Sequence, residues 1–172
     1  MSLKRVKSES LKDALTGLAN RKSFHDELER IQQKADKLAE TCMIFADIDR
    51  FKQVNDEYGH LFGDRVITAV AKVIEEVVGD RGLASRYGGE EFAVLLPGSK
   101  AEEAKVLAES IRDSVERRRV INPKTGEKLG AVTISIGVSQ FDPEVDVFKT
   151  IEQADAALYR AKNKGRNCVE SG

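Results

Sequence analysis

The sequence predicts an α+β fold: a ferredoxin-like, split-βαβ plan with an antiparallel central sheet, flanking helices and a small extra hairpin. Three observations carry that expectation. Short apolar runs bounded by turn residues read as strands. Between them lie longer segments whose apolar residues recur at steps of three and four, the period of a helix face. Their order after a leading helix is β-α-β-β-α-β-α.

Phe24, Leu28, Ile31, Ala35 and Leu38 line one face of the leading helix, and Asn20 is placed to cap it. The run TCMIFADI, residues 41–48, is continuously apolar up to its last acid and reads as a buried strand. Val66, Val70, Val73, Ile74 and Val77 make the next helical stripe. Residues 83–87 and 91–96 read as two strands around Gly88-Gly89, and a type I′ turn there would place both glycines at positive φ. Ala104, Leu107, Ile111 and Val115 mark a further helix, and residues 122–127 the tip of a polar hairpin. Residues 132–139 alternate apolar with small or polar side chains, the pattern of a half-buried strand with helices on one face of the sheet. Ile151, Ala154, Leu158 and Ala161 form the last helix, which Gly165 ends.

A chain of 172 residues suits one domain, with residues 1–12 a leader or the end of an upstream linker helix and residues 13–172 the domain itself. At 41% hydrophobic and 33% charged residues, the composition excludes a disordered or fibrous chain. Lys and Arg number 28 against 29 Asp and Glu, so the net charge of -1 argues against a nucleic-acid polymer as partner. The apolar runs are far shorter than the ~20 residues a bilayer requires, and no secretory signal stands out. A cytoplasmic domain without membrane contact of its own is expected, and a membrane-anchored full-length protein is compatible with it. Cys42 reads as a core residue; Cys168 has no thiol or histidine at ligand spacing.

The split-βαβ plan sets the first strand beside the third, running opposite ways. Asp47 and Asp49, at the end of strand one, then meet Glu90 and Glu91, which follow the Gly-Gly turn. Gathered carboxylates repel and need a cation or protons. Hard divalent ions take oxygen ligands, and Mg²⁺ combines one or two carboxylates with substrate phosphates. Asp47 and Glu90 are the leading metal ligands, with the Ile48 carbonyl as a third oxygen; strand alternation turns Glu91 to the opposite face. Taken singly, an acidic strand end and an ordinary hairpin are the commoner readings, and only their convergence favours a metal site.

Lys52, Lys162 and Arg166 supply cations suited to phosphate, although basic residues at the end of a helix also complement its dipole. Residues 55–64 gather Asn55, Asp56, His60 and Asp64 around Gly59 and Gly63. The Asp64 carboxylate suits the N1–H and exocyclic amine of guanine, or alternatively the cap of the next helix. His60 reads otherwise as a loop residue bonded to its own backbone. No GxxxxGK[ST] occurs, which disfavours a P-loop. His25 reads as a solvated helix residue. Glu116 to Arg119 read as a solvated helix end, with anion binding the lesser alternative.

These blocks resemble the GGDEF family of diguanylate cyclases. The signature stands as Arg86-Tyr87-Gly88-Gly89-Glu90-Glu91-Phe92, accompanied in order by DALTGLANR (13–21), FADIDRFKQVND (45–56), GHLFGD (59–64), TISIGVS (133–139) and ADAALYRAKNKGRN (154–167). The resemblance implies a nucleotidyl-cyclase palm that joins two GTP into cyclic di-GMP and two pyrophosphates. It implies a homodimer of half-sites using Mg²⁺, with Mn²⁺ as an alternative, and an upstream sensory or regulatory domain. Carried over, Asp47, the Ile48 carbonyl and Glu90 resemble the metal ligands. Asn55 and Asp64 resemble the guanine readers, with His60 and Phe51 beside them. Lys52, Lys162 and Arg166 resemble the phosphate contacts, Lys52 also steadying charge on the transferring group. Glu90 and Glu91 resemble the groups that deprotonate the ribose 3′-hydroxyl, while Gly88 and Gly89 admit the substrate. The family's product-inhibition motif, RxxD, is replaced at residues 79–82 by Gly-Asp-Arg-Gly, so feedback inhibition through it is not expected. The competing expectation is a non-catalytic module that binds GTP or cyclic di-GMP; an intact GGEEF argues against it.

Overall fold

The computed structural model describes residues 10–34, 40–122, 124–126 and 132–172. Asn20 caps α1 (Arg21–Gln32), its side chain accepting from the Ser23 N–H at 2.9 Å. Then follow β1 (Thr41–Ile48), α2 (Phe51–Tyr58), α3 (His60–Val78), a 3₁₀ turn at Gly79–Arg81, β2 (Leu83–Arg86) and β3 (Glu91–Pro97). The chain continues with α4 (Ala101–Arg117), β4 (Ile134–Gln140), α5 (Val147–Asn163) and β5 (Val169–Ser171). The sheet order is β2-β3-β1-β4-β5, antiparallel except for β5, which runs parallel to β4.

Helices cover both faces of the sheet, not one. Cys42, Ile44, Ala46 and Ile48 of β1 pack with Val66, Val70 and Ile74 of α3 and with Leu107 and Ile111 of α4. Met43 and Phe45 pack on the other face with Phe24 and Leu28 of α1 and Ala154 and Leu158 of α5. Every residue of β1 is therefore buried, which is why its sequence is continuously apolar and shows no alternation. Strand β4 is likewise buried on both faces rather than half-buried. Its small residues are a packing requirement: a Cβ at Gly137 would lie 2.1 Å from the Ala154 carbonyl oxygen and 2.5 Å from the Leu158 nitrogen. Alternation along a strand marks a solvent face only when nothing covers the small side.

Two further elements differ from expectation. Residues 51–58 form a helix of their own, and the three-residue β5 extends the sheet beyond the last helix. Both are too short for a periodicity signal. At the tip, residues 124 and 125 form a turn, with Gly126 N–H donating to the Asn122 carbonyl at 2.8 Å; the rest of the expected hairpin, like Ala35, Leu38 and most of the leader, lies outside the described residues. Cys42 is fully buried and its thiol is pushed up to about 11, chiefly by desolvation.

Gly137→Ala is expected to destabilise the domain by about 1–3 kcal/mol, because the added methyl meets backbone that cannot rotate away. Urea unfolding measures it, and an unchanged midpoint contradicts the packing account.

Candidate active site

The register of β1 on β3 assembles the acidic cluster. Asp47 is the Cα partner of Glu91, and the Ile48 N–H donates to the Glu90 carbonyl at 3.2 Å. Residues 43 apart in the chain thus meet at one end of the sheet, as the split-βαβ plan requires. Opposed residues of an antiparallel pair share a face. Glu91 therefore lies on the same side as Asp47, contrary to the expectation that alternation would turn it away. Alternation places Glu91 opposite Glu90 only if both belong to the strand, and Glu90 belongs to the turn.

Helix α5 passes over that side and supplies the counter-charge. Lys162 in its last turn reaches Asp47, Nζ to Oδ2, at 2.6 Å. The side chains are 34% and 12% exposed, so the pair is only partly shielded from water. Burial nevertheless pushes the Asp47 carboxyl above its usual value, with Lys162 opposing and Asp49 and Asp155 adding repulsion. Glu90 and Glu91 are raised too, first by burial and then by the charge of Asp47. Asp155 also raises Glu91, and Lys162 counters both glutamates. Asp155 escaped the sequence reading, although its spacing of seven from Lys162 places both on one helix face.

The Gly-Gly segment is not the expected type I′ turn. Neither Gly88 nor Gly89 has a positive φ. Tyr87 and Gly88 N–H groups donate to the Glu91 carbonyl at 2.8 and 3.3 Å, closing a wider loop. At Gly88 a Cβ would lie 2.5 Å from Glu91 Oε1, so a larger residue there would displace the Glu91 side chain. Arg86 braces the loop, its guanidinium donating to the Gly89 carbonyl at 2.8 and 3.1 Å and pairing with Asp13 at 3.2 Å. His25 is not simply solvated: its Nε2 lies 2.9 Å from the Tyr87 hydroxyl, and the Arg21 guanidinium sits 4.4 Å above the Tyr87 ring.

Asp49 has a role that its place in the sequence did not disclose. Its carboxylate accepts from Thr133 Oγ1 at 2.8 Å, Ser135 Oγ at 2.6 Å and the Asn167 N–H at 3.0 Å. It thereby ties the end of β1 to the start of β4 and to the turn after α5. In that turn Arg166 and Asn167 hold φ of 66° and 48°, and Arg50 beside Asp49 holds 55°. Left-handed conformations cost non-glycine residues free energy and persist only where surroundings enforce them. Here Asn167 is also held by Arg112 Nη1 at 2.9 Å and by Glu116, both on α4. Its partners come from two distant parts of the chain, Asp49 after β1 and Arg112 and Glu116 on α4, so local periodicity does not announce them.

The second part of the site is the α2–α3 elbow. Gly59, with φ 89°, ends one helix and caps the next. Asp64 therefore lies in the second turn of α3, not at its cap, and its carboxylate is exposed. His60 and Lys52 are exposed as well, whereas Phe51 is buried in the core. Asn55 Oδ1 is buried without a hydrogen-bond partner among the described residues. A Cβ at Gly63 would fall 1.9 Å from that oxygen and 3.1 Å from Phe51 Cζ, so the glycine shapes the cradle. A buried acceptor without a donor is costly unless a ligand satisfies it.

The acidic donors are hard oxygens, the chemistry that Mg²⁺ and Mn²⁺ favour. Among the described residues no three acidic, His or Cys side chains are gathered tightly enough to hold a metal alone. A site sharing its ion with substrate phosphates and a backbone carbonyl does not need three. The mutual repulsion of Asp47, Glu90 and Glu91 fits such an ion.

Comparison with known proteins places this architecture. The family described as "Diguanylate cyclase, GGDEF domain" matches residues 10–168, and the chain belongs to it. Diguanylate cyclase VdcA of Vibrio cholerae is 40% identical over 167 residues, 97% of this chain and 48% of that protein. Diguanylate cyclase DgcM of Escherichia coli K12 is 40% identical over 158 residues, 91% of this chain and 37% of that protein. The chain thus spans about half or less of these relatives. The crystal structure of the coiled coil and GGDEF domain of DgcB from Caulobacter crescentus, in complex with c-di-GMP, matches with TM-score 0.91 and 42% identity over 99% of this chain and 90% of that one. The active GGEEF domain of a diguanylate cyclase from Vibrio cholerae matches with TM-score 0.80 and 32% identity, covering 90% and 97%.

The raised carboxyls make a prediction about pH. A carboxyl whose folded value exceeds its unfolded value of about 4.3 contributes stability that is fully present below that value and lost as pH rises through the folded one. Glu91→Gln removes one such group, so the variant should gain stability relative to the parent as pH rises above the unfolded value of about 4.3. Paired urea midpoints test this; a difference independent of pH contradicts the raised Glu91 carboxyl, whose first cause is burial and whose second is the charge of Asp47.

Proposed function

We propose that this domain condenses two GTP molecules into cyclic di-GMP and two pyrophosphates, acting as a homodimer of half-sites. The observation that carries the reading is the cluster of Asp47, Glu90 and Glu91 around Lys162 at the β1–β3 end. Asp47, the Ile48 carbonyl and Glu90 would hold Mg²⁺, or Mn²⁺, which stabilises charge on the attacking and leaving oxygens of such a transfer.

The chain's own groups divide the remaining work. Each ribose 3′-oxygen attacks the α-phosphorus of the other GTP, the bond to the β-phosphate oxygen breaks, and pyrophosphate departs with that electron pair. The hydroxyl proton passes to Glu90 or Glu91, whose raised affinity for a proton suits a general base. Lys162, Arg166 and Lys52 balance phosphate charge. Asn55 Oδ1 accepts from a guanine N–H, and the free Asp64 carboxylate accepts from N1–H and the exocyclic amine. Phe51 supports the elbow from below, and His60 stands at its mouth. One chain carries one such set, so two must face each other, and two-fold symmetry makes the attacks equivalent. An upstream regulatory domain would set how often they meet. The alternative, a module that binds GTP or cyclic di-GMP without turnover, would leave the base and the cation cluster without a purpose.

We also infer that product does not inhibit through the family's usual site. Where the inhibitory motif places its Asp, this chain has Gly82, and a Cβ there would lie 2.0 Å from the Leu95 carbonyl oxygen. The β2 edge therefore has no room for a side chain at that position.

Incubation with GTP and Mg²⁺, with detection of pyrophosphate and cyclic dinucleotide, tests the reading. Turnover per molecule should rise with protein concentration, and Glu90→Gln should lower it by ~10²-fold or more while circular dichroism is unchanged. Turnover retained by that variant contradicts the assignment, and GTP binding without turnover in a forced dimer favours the alternative. Added cyclic di-GMP at micromolar levels should leave the initial rate within about twofold; steep inhibition would show that another site replaces the missing motif.

A further inference from the structure

The outer face of α3 and the chain after α4 form an open groove of about 480 Å³ lined by Asp64, Arg65, Lys72, Arg118, Arg119 and Ile121, with Leu15 and Thr68 also on it. A neighbouring depression of about 250 Å³ shares Arg65 and adds Leu61 and Lys124. Among the described residues Arg65, Lys72, Arg118 and Arg119 have no ion pair, although nine other pairs are formed. The chain as a whole carries a net charge of -1, so the gathering of cations here against Asp64 alone is local, not a reflection of composition. Between the cations, Leu61, Ile121 and Leu15 are 77%, 51% and 37% exposed.

We propose that this face docks an acidic segment of a partner protein, one that carries apolar side chains along one side. Three features select that occupant. Arg65 and Lys72 lie seven residues apart on one helix, about 10 Å along its axis, which strings positive charge along the groove as a segment with several acids requires. Exposed aliphatic side chains interleave with the charges, matching an amphipathic segment in which acids flank apolar anchors. The lining comes from two walls, α3 and the chain after α4, which suits a narrow segment better than a broad lipid surface. Charge complementarity of this kind guides encounter and suppresses wrong partners, while the buried aliphatic groups supply affinity. The groove lies apart from the acid cluster but shares Asp64 with the guanine position proposed above, so peptide binding is measured without GTP and its outcome does not depend on turnover.

The test uses a fluorescein-labelled peptide of about 16 residues, Glu-rich with Leu at i, i+3, i+4 and i+7 spacing. Its controls are the same peptide with Lys for every Glu, and the same peptide with Ser for every Leu. Fluorescence anisotropy against the whole chain should show binding of the acidic Leu peptide, none of the Lys peptide, and at least about tenfold weaker binding of the Ser peptide. Lys72→Glu combined with Arg118→Glu should weaken the acidic peptide about tenfold or more. Arg118→Glu with Arg119→Glu should do the same, so that misfolding of one variant, checked by circular dichroism, does not decide the matter. Amide shifts on titration should map to residues 61–72 and 118–122. Equal binding by parent and variants, shifts confined elsewhere, or no binding at millimolar peptide would overturn the proposal. Stronger retention on phosphatidylserine vesicles than on the peptide, lost in the same variants, would assign the face to a membrane and overturn it too.

Discussion

Asp47 sits at the end of β1 with little access to water, next to Glu90 and Glu91, and Lys162 Nζ at 2.6 Å is the charge that makes this arrangement tolerable. Removing either partner of such a pair leaves an uncompensated charge in a poorly solvated place, which costs far more than the intact pair contributes. The geometry around it follows from that constraint. Helix α5 must cross the sheet so that its last turn lies over the strand end, and Gly137 must lack a side chain so that the helix can come that close. Under the proposed function, the same residue that neutralises the cluster would also meet an incoming phosphate. Arrival of a polyanion together with a divalent ion would exchange one set of counter-charges for another, without a large change in local charge.

Rigidity at the site is drawn from unlike sources. Asp49 holds three partners from β4 and from the turn after α5, and that turn keeps two non-glycine residues in left-handed conformations. The Gly-Gly loop is braced from outside by Arg86, which is held in turn by Asp13. The α2–α3 elbow has fewer polar contacts: Asn55 Oδ1 has no hydrogen-bond partner among the described residues, and His60 and Asp64 are exposed. The acid cluster is thus held in place ahead of any ligand, while under the proposed function a guanine would complete the elbow. In transfers governed by positioning and electrostatics, such a division suits the groups nearest the reacting atoms.

How far the sequence could be read depended on the range of the interaction. Strand β1 and the stripes of α1, α3, α4 and α5 were legible because burial imposes local periods on a chain. Asp47 and Glu90 could be brought together on paper because the topology leaves few ways to pair the strands. The errors share one cause. The alternation of β4, the φ values of the Gly-Gly loop, the side of Glu91 and the surroundings of His25 all depend on what lies across the sheet or on which residue begins the strand. Asp155 had a weak local signal in its spacing from Lys162, and Asn167 had none.

By itself, then, the order of residues determined the element types, the family signature and the meeting of two remote acids, since each rests on periodicity or on strand pairing. Only the tertiary structure decided that both sheet faces are covered, that Glu91 stands with Asp47, that Gly82 leaves no room at the β2 edge, and that Asp49 governs the turn bearing Arg166. The reason is that steric exclusion, desolvation and multi-element hydrogen bonding are properties of neighbours in space, and neighbours in space are not encoded at any fixed separation along the chain.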